Sequence, residues 1–493
     1  MSYSPSRAAC LFTIAGLLSV TGTSFADATG TGRATADACC EAMIIVTPRA
    51  FRDEVDRYVA AVEPRRRQGC RFQIDVVELE TILDAATTGD DAEKVKRFLV
   101  ARGKRINEAN DARGCRLRYV LLVGDADIFP VRYMCLDRNT DAAFNCAFYP
   151  SDLYYADLFK ADGSFEDWNA NKDGFHAGYF GEVRGEHNKS DPINFDGIDY
   201  KPDVAVGRWP VSRKADLRTV IDKTIAYEQG LLQTRSSESP RAKATAAMIA
   251  VGGWVENTGP MDAMAARLGE RWLIERRYEG RGDQGKPPTA DEVVSLLNQH
   301  AQLVFHSGHG GPDGWERSLG VRNIPELTNA AHPAIVLSAG CSTAYFATLP
   351  PYEAYLDANG VEHKGTDNGE VFTSPPPPPG CYARGAHNRT GFGEALLRDG
   401  PNGGAGAVAY FGCNTGSQPC GMTLLEGFAD AIGSSRPGDP PKRLGDCWIH
   451  AVNYYHEHQR LAELKPNNDW YPPSIFFQGM KFMLFGDPSI PIP

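Results

Sequence analysis

The sequence predicts an α/β fold, with mostly parallel sheets covered by helices in two side-by-side subdomains. Three observations carry that expectation. Between residues 43 and 123 short apolar runs alternate with helical segments, the mark of βαβ units. The alternation starts again at Ala246, after a polar connector. In the second half two apolar runs, 303–305 and 334–337, stop abruptly at polar, Gly-rich turns. Buried parallel strands end in this way when they deliver side chains to the carboxyl edge of a sheet.

Taken in order, the chain opens on Arg7, an apolar run over 8–20 and the small-x-small triplet Ser24-Phe25-Ala26. This reads as a secretory signal over 1–26, because the run is too short for a membrane span. No later stretch approaches twenty apolar residues, so an exported chain beginning near Asp27 and without a stable membrane span is expected. The 493 residues are 42% hydrophobic, ample for a sizeable core, and the net charge of −11 has no long basic run to attract nucleic acid. Of the 12 cysteines, Cys10 would leave with the leader. Setting Cys341 aside as well leaves an even number that export would allow to form disulfides.

The first subdomain is expected over 27–240. Strands fall at 43–46, 72–77 and 119–123 and helices at 52–62 and 91–102; Asp125 and Asp127 at the third strand's end shape the turn or bind a cation. An acidic loop over 152–182 follows. Its Asn169-x-Asn171-x-Asp173-Gly174 pattern places oxygen ligands at alternate residues before a turn glycine, as calcium loops do. Asp167, Asn169, Asn171, Asp173 and Glu182 are the candidate calcium ligands, although Phe180 stands where such a loop has its last acid; a solvated acidic loop is the alternative. A strand at 204–206, a helix over 214–229 and a polar connector over 232–241 close this half.

The second subdomain, 241–493, repeats the alternation with a strand at 246–251 and helices at 261–277 and 290–299, the last with Thr289 and Glu292 as a capping box. The two apolar strands then bring His309 and Cys341 into view. A thiol near its free pKa of about 8.5 is only a few per cent thiolate at neutral pH, so it needs an imidazole beside it to act as a nucleophile. The Gly310 and Cys341 backbone N–H groups would hold the oxyanion of a tetrahedral intermediate. His306 and His309 at HxxH spacing are also a possible metal pair, without the intervening Glu and the helix that zinc peptidases use. Beyond Cys341 a polar insertion over about 350–389 contains five consecutive prolines, 375–379, and reads as a lid, a substrate-side wall, a cleavable inhibitory segment or a linker. A helix at 393–398, a strand at 407–411 and helices at 422–432 and 447–458 complete the unit.

Five separated segments, YVLLVGDADIFP, SDLYYADL, PDVAVGRWPV, HSGHGGPDGW with ELTNAAHPAIVLSAGCS, and FGDPSIPI, resemble the gingipain family of cysteine peptidases. The resemblance implies a caspase-like three-layer α/β/α fold, with Cys341 as nucleophile, His309 as general base and Trp315 near the primary pocket. It also implies an acid that orients His309. The matching position carries none, and Glu256, a few residues late, is the candidate. Asp262 falls where basic-specific gingipains carry an acid facing the P1 side chain; an ordinary first-turn helix acid is the alternative. The expected activity is thiol endopeptidase hydrolysis of proteins or peptides by a monomer, with no cofactor for catalysis and a structural calcium ion. An inactive gingipain-like binding or surface-processing module is the alternative, and a metal hydrolase using His306 and His309 is a third reading.

Overall fold

The computed structural model describes residues 40–493 except 67–70, 110–114, 136–147, 179–193, 237–242, 281–285, 300, 352, 366–371, 401–403, 436–441 and 464–477. The expected leader lies outside these residues. Ten strands form the central sheet: β1 (Cys40–Thr47), β2 (Arg71–Glu78), β3 (Cys115–Val123), β4 (Ala205–Trp209), β5 (Ala244–Ala250), β6 (Trp272–Tyr278), β7 (Ala301–Ser307), β8 (Ala334–Ser338), β9 (Ala407–Cys413) and β10 (Phe482–Phe485). Their order across the sheet is β2-β1-β3-β4-β10-β9-β8-β7-β5-β6. The longer helices are α1 (Arg52–Arg66), α2 (Asp91–Ala109), α3 (Lys214–Ser236), α4 (Thr258–Leu268), α5 (Ala290–Asn298), α6 (Phe392–Arg398), α7 (Met422–Gly433) and α8 (Leu444–His458).

Within this sheet every strand pairing but one is parallel among the described residues, as the near-continuous Val, Ile and Leu runs require. The exception is β10, antiparallel to β9 and joined to β4 through the Phe485↔Arg208 position. It sits between the strands of the first half and those of the second, so the two halves share one sheet. Asp487, just beyond β10, is buried with Arg66 of α1 and Glu228 of α3; the Arg66 guanidinium donates to Asp487 Oδ2 at 2.9 Å and to the Tyr58 hydroxyl at 2.7 Å. Arg208 is likewise fully buried and held by both Asp152 oxygens, at 2.7 and 2.6 Å.

Two elements depart from the sequence expectation. The helix expected over 261–277 ends at Leu268, where Gly269 turns to φ 71°, a conformation that costs glycine little. Residues 272–278 instead form the edge strand β6, parallel to β5, with Leu273 half exposed. Of the cysteines that the even count allowed to pair, Cys39, Cys70 and Cys146 lie outside the described residues. Cys40 and Cys115 face each other on β1 and β3 at disulfide distance, whereas Cys381, Cys413, Cys420 and Cys447 keep their thiols. Burial pushes Cys413 and Cys447 up to about 12, so these two are packing residues rather than nucleophiles.

Candidate active site

β7 and β8 are parallel neighbours in which His306 pairs with Ser338. His309 and Cys341 each stand three residues beyond that pair, so both leave the sheet at one carboxyl edge. The two turns are in contact. A Cβ on Gly310 would lie 2.6 Å from Thr343 Cγ2 and 3.0 Å from the Cys341 carbonyl oxygen, which only glycine avoids.

Cys341 is half-buried with a free thiol. Its Sγ accepts the Ser417 backbone N–H at 3.3 Å and lies 3.6 Å from the Ser417 carbonyl. The next residue, Ser342, is held at φ 51°, with its N–H donated to Thr415 O at 2.6 Å. The loop after β9 therefore shapes the Cys341 turn, a role the sequence reading did not assign. The available signal was a polar segment, Asn414 to Gln418, at the carboxyl end of the strand next to β8.

The His309 Nε2 atom lies 3.2 Å from the Gly253 carbonyl oxygen. A carbonyl only accepts, so Nε2 carries a proton and Nδ1 is the basic nitrogen. Glu256 stands nearby in sequence, but its Oε1 accepts the Thr258 and Gly259 backbone N–H groups at 3.1 and 3.2 Å and the Thr258 hydroxyl at 2.6 Å. The structure thus places Glu256 at the start of α4, and a main-chain oxygen is what meets His309.

His306 is fully buried, with Nδ1 2.9 Å from Ser338 Oγ; burial alone brings its pKa down to about 3, so the ring is neutral. Trp315 is buried too, bonded through Nε1 to the Tyr410 hydroxyl at 3.3 Å. Among the described residues, the groups of acids, His and Cys close enough to share one ion are Asp125-Asp127-His387 and Asp157-Glu166-Asp199. Neither contains the His306 and His309 pair.

A cleft of about 710 Å³ opens beside the His309 turn, lined among others by Gly310, Asp313, Trp315, Arg317 and Arg322. Asp262 lies within α4 rather than at its start, and its Oδ1 accepts Arg276 Nε at 2.9 Å and the Tyr278 hydroxyl at 3.1 Å. The proline run packs elsewhere. Pro375, Pro376, Pro378 and Pro379 border a cavity of about 260 Å³ with Arg132, Tyr133, Phe148 and Phe175, and the Tyr355 hydroxyl donates to Pro377 O at 2.9 Å.

In the acidic loop the candidate calcium ligands are engaged locally. Asn169 Oδ1 accepts the Gly174 N–H at 3.1 Å, Asp173 Oδ1 accepts the Phe175 N–H at 2.8 Å, and Asn171 Nδ2 donates to Asp173 Oδ2 at 2.8 Å. Asp167 accepts the Asn169 N–H at 3.0 Å and pairs with the Lys172 ammonium, which stands where a metal ion would compete for the same carboxylate. Glu182 lies outside the described residues.

Comparison with known proteins supplies the family and supports the fold. The sequence model of Peptidase family C25 matches residues 41–493. Gingipain R2 of Porphyromonas gingivalis is 21% identical over 308 residues, which is 62% of this chain and 32% of that protein. Gingipain R1 of the same species is 26% identical over 159 residues, 31% of this chain and 16% of that protein. The chain thus spans a third or less of the curated relatives it matches. Among solved structures, the Arg-specific cysteine proteinase gingipain R superposes with a TM-score of 0.55 at 18% identity, covering 93% of this chain and 79% of that one. A second, described only as a protease, gives 0.52 at 14% identity, covering 92% and 78%. With its strand order, the placement of His309 and Cys341 and a family match over nearly its whole length, this chain belongs to Peptidase family C25.

Proposed function

We propose that the chain is an exported cysteine endopeptidase in which Cys341 is the nucleophile and His309 the general base. The observation that carries this reading is the pairing of two turns at one sheet edge, with His309 Nε2 engaged by the Gly253 carbonyl and Nδ1 left as the base. In the proposed cycle Nδ1 takes the Cys341 proton and the thiolate attacks the scissile carbonyl carbon. The Gly310 and Cys341 N–H groups hold the resulting oxyanion. His309 returns the proton to the leaving amine, and water then hydrolyses the thioester through the same base. A basic P1 side chain would reach Asp262 only by taking the place of Arg276. Calcium belongs to this reading as a structural ion of the acidic loop, in exchange for the Lys172 ammonium on Asp167.

The test is mass spectrometry of the full chain treated with a peptidyl acyloxymethyl ketone, alongside Cys341→Ala and a mixed-P1 peptide library. An adduct on Cys341, with cleavage lost in the variant, is the expected result. Neither adduct nor cleavage in the presence of reductant and calcium would overturn the assignment in favour of a binding module.

A further inference from the structure

The turn that presents the Gly253 carbonyl to His309 is itself held from both sides. The Gly252 N–H donates to Glu279 Oε2 at 2.7 Å, and the Gly252 carbonyl accepts Arg317 Nη2 at 2.6 Å. Arg317 and Glu279 are paired face to face, Nη1 to Oε1 at 2.7 Å and Nη2 to Oε2 at 2.9 Å. The three groups close a ring: peptide, carboxylate and guanidinium. A Cβ on Gly253 would lie 3.5 Å from Arg317 Nη2 and 3.6 Å from His309 Cδ2, so guanidinium and imidazole flank the same residue.

Each partner comes from a different element. Glu279 directly follows the edge strand β6, its own N–H bonded to Ala250 O of β5 at 2.8 Å, and Arg317 lies in the hairpin after His309, at φ 59°. As a part-exposed ion pair it adds little to stability. Its geometry is more informative, because a planar guanidinium with two anchored nitrogens fixes direction.

We propose that Arg317 and Glu279 are positioning residues for catalysis. They clamp the Gly252 peptide so that the Gly253 carbonyl fixes the Nε2–H tautomer and ring plane of His309, the task a carboxylate performs where a His is oriented by an acid. This rests on the peptidase reading above. The charged and titratable groups around the His309 turn include Arg317, Glu279, the buried neutral His306 on β7, Cys341 beyond β8, Glu316, whose backbone N–H meets the His309 carbonyl, and Asp313, which pairs with Arg389; Glu256 is engaged by Thr258 and Gly259. Arg317 also borders the cleft, so direct binding of a substrate carboxylate is the competing role.

Iodoacetamide separates the two roles, because it reports thiolate formation and has no side chain for the cleft to recognise. Alkylation of Cys341 in the full chain is followed by peptide mass mapping near pH 6 and near pH 9.5, for wild type, Arg317→Met, Arg317→Lys, Glu279→Leu and Glu279→Gln, with peptide kcat and KM and a melting curve for each. Near pH 6, where a thiol ionises only with help, Arg317→Met and Glu279→Leu are expected to react at least ~10-fold more slowly. Near pH 9.5, where the thiol ionises unaided, they should stay within about twofold of wild type. Peptide kcat should fall and KM hold. Glu279→Gln, which keeps an acceptor for the Gly252 N–H, should recover most of the rate, and Arg317→Lys carries the test if Met unsettles the fold.

Wild-type rates at both pH values in Arg317→Met and Glu279→Leu, or a rise in KM with alkylation unchanged, would overturn the clamp and leave Arg317 as a substrate ligand or a bystander. Wild-type protein that neither reacts near pH 6 nor cleaves peptide would instead remove the peptidase reading on which it rests.

Discussion

His306 and Trp315 stack face to face, with ring centroids 4.2 Å apart and planes within 6°, directly below the turn that carries His309. The contact explains why an uncharged histidine is tolerated in this core, since its Nδ1 is bonded to Ser338 and its face is covered by indole. Trp315→Ala is expected to cost about 3–5 kcal/mol in thermal or denaturant unfolding. Trp315→Phe should recover most of that loss, and stability unchanged by the Ala variant would show that the indole carries no weight there.

The same histidine sets an acid limit. Its folded pKa is about 3 against 6.5 when unfolded, so the unfolded state binds the extra proton. Stability is therefore full above the unfolded value and falls as pH drops from 6.5 towards 3, by up to ~1.4 kcal/mol per unit from this group. His456, lowered to about 4 by burial, adds the same sign over its narrower window. Melting curves of His306→Phe between pH 7 and 4 should decline less steeply than those of wild type, and parallel slopes would assign the acid sensitivity elsewhere.

Gly310→Ala tests the contact between the two turns. Its Cβ would meet Thr343 Cγ2 and the Cys341 carbonyl, so the dyad should be pushed apart and kcat/KM should fall on the order of 100-fold with little change in melting temperature. Thr343→Ser removes the nearer clash and is expected to restore part of the activity of the Ala variant.

The proposed preference for a basic P1 residue can be tested at the Asp262 and Arg276 pair. If Asp262 selects basic P1 residues, Asp262→Ala should reduce cleavage after Arg and Lys at least ~10-fold while sparing other residues. Arg276→Ala should then raise cleavage after Arg and Lys, because it vacates the carboxylate. P1 profiles unchanged in both variants would leave Asp262 as a partner of Arg276 and Tyr278 alone.

Calcium binding at the acidic loop should appear as a rise in melting temperature on addition of the ion, larger in Lys172→Ala, which frees Asp167 of its competitor, and absent in Asp167→Ala. Equal melting temperatures with calcium and with a chelator in all three proteins would remove the ion from this loop.

That His309 and Cys341 leave the sheet at one edge was legible in the sequence because residue type and strand pattern coincided: apolar runs ending in glycine turns, one with His and one with Cys. β6 was not, because Glu275, Arg276 and Arg277 break the apolar run of an edge strand and continue the charge pattern of α4 past Gly269. The partner of His309 was hidden for another reason. A backbone carbonyl has no residue-type signature, so an acid was sought in Glu256 while the sheet delivered Gly253 O. The clamp on Gly252 joins residues from the ends of β5 and β6 and the hairpin after β7, a convergence that only the strand order reveals.

The insertion of β10 between β4 and β9 also orders events during synthesis. Residues 482–485 leave the ribosome after every other strand of this sheet, and their partners lie as far back as Arg208. Until they arrive, β4 and β9 are two open edges, a state prone to wrong pairing, and the long loop closure makes their union slow. The strand that leads into Cys341 is seated against β9, one of those two edges, so the Cys341 turn gains its final support when the seam closes. On the peptidase reading proposed above, a nascent chain built this way would gain a competent Cys341 turn only as the last step of its own folding.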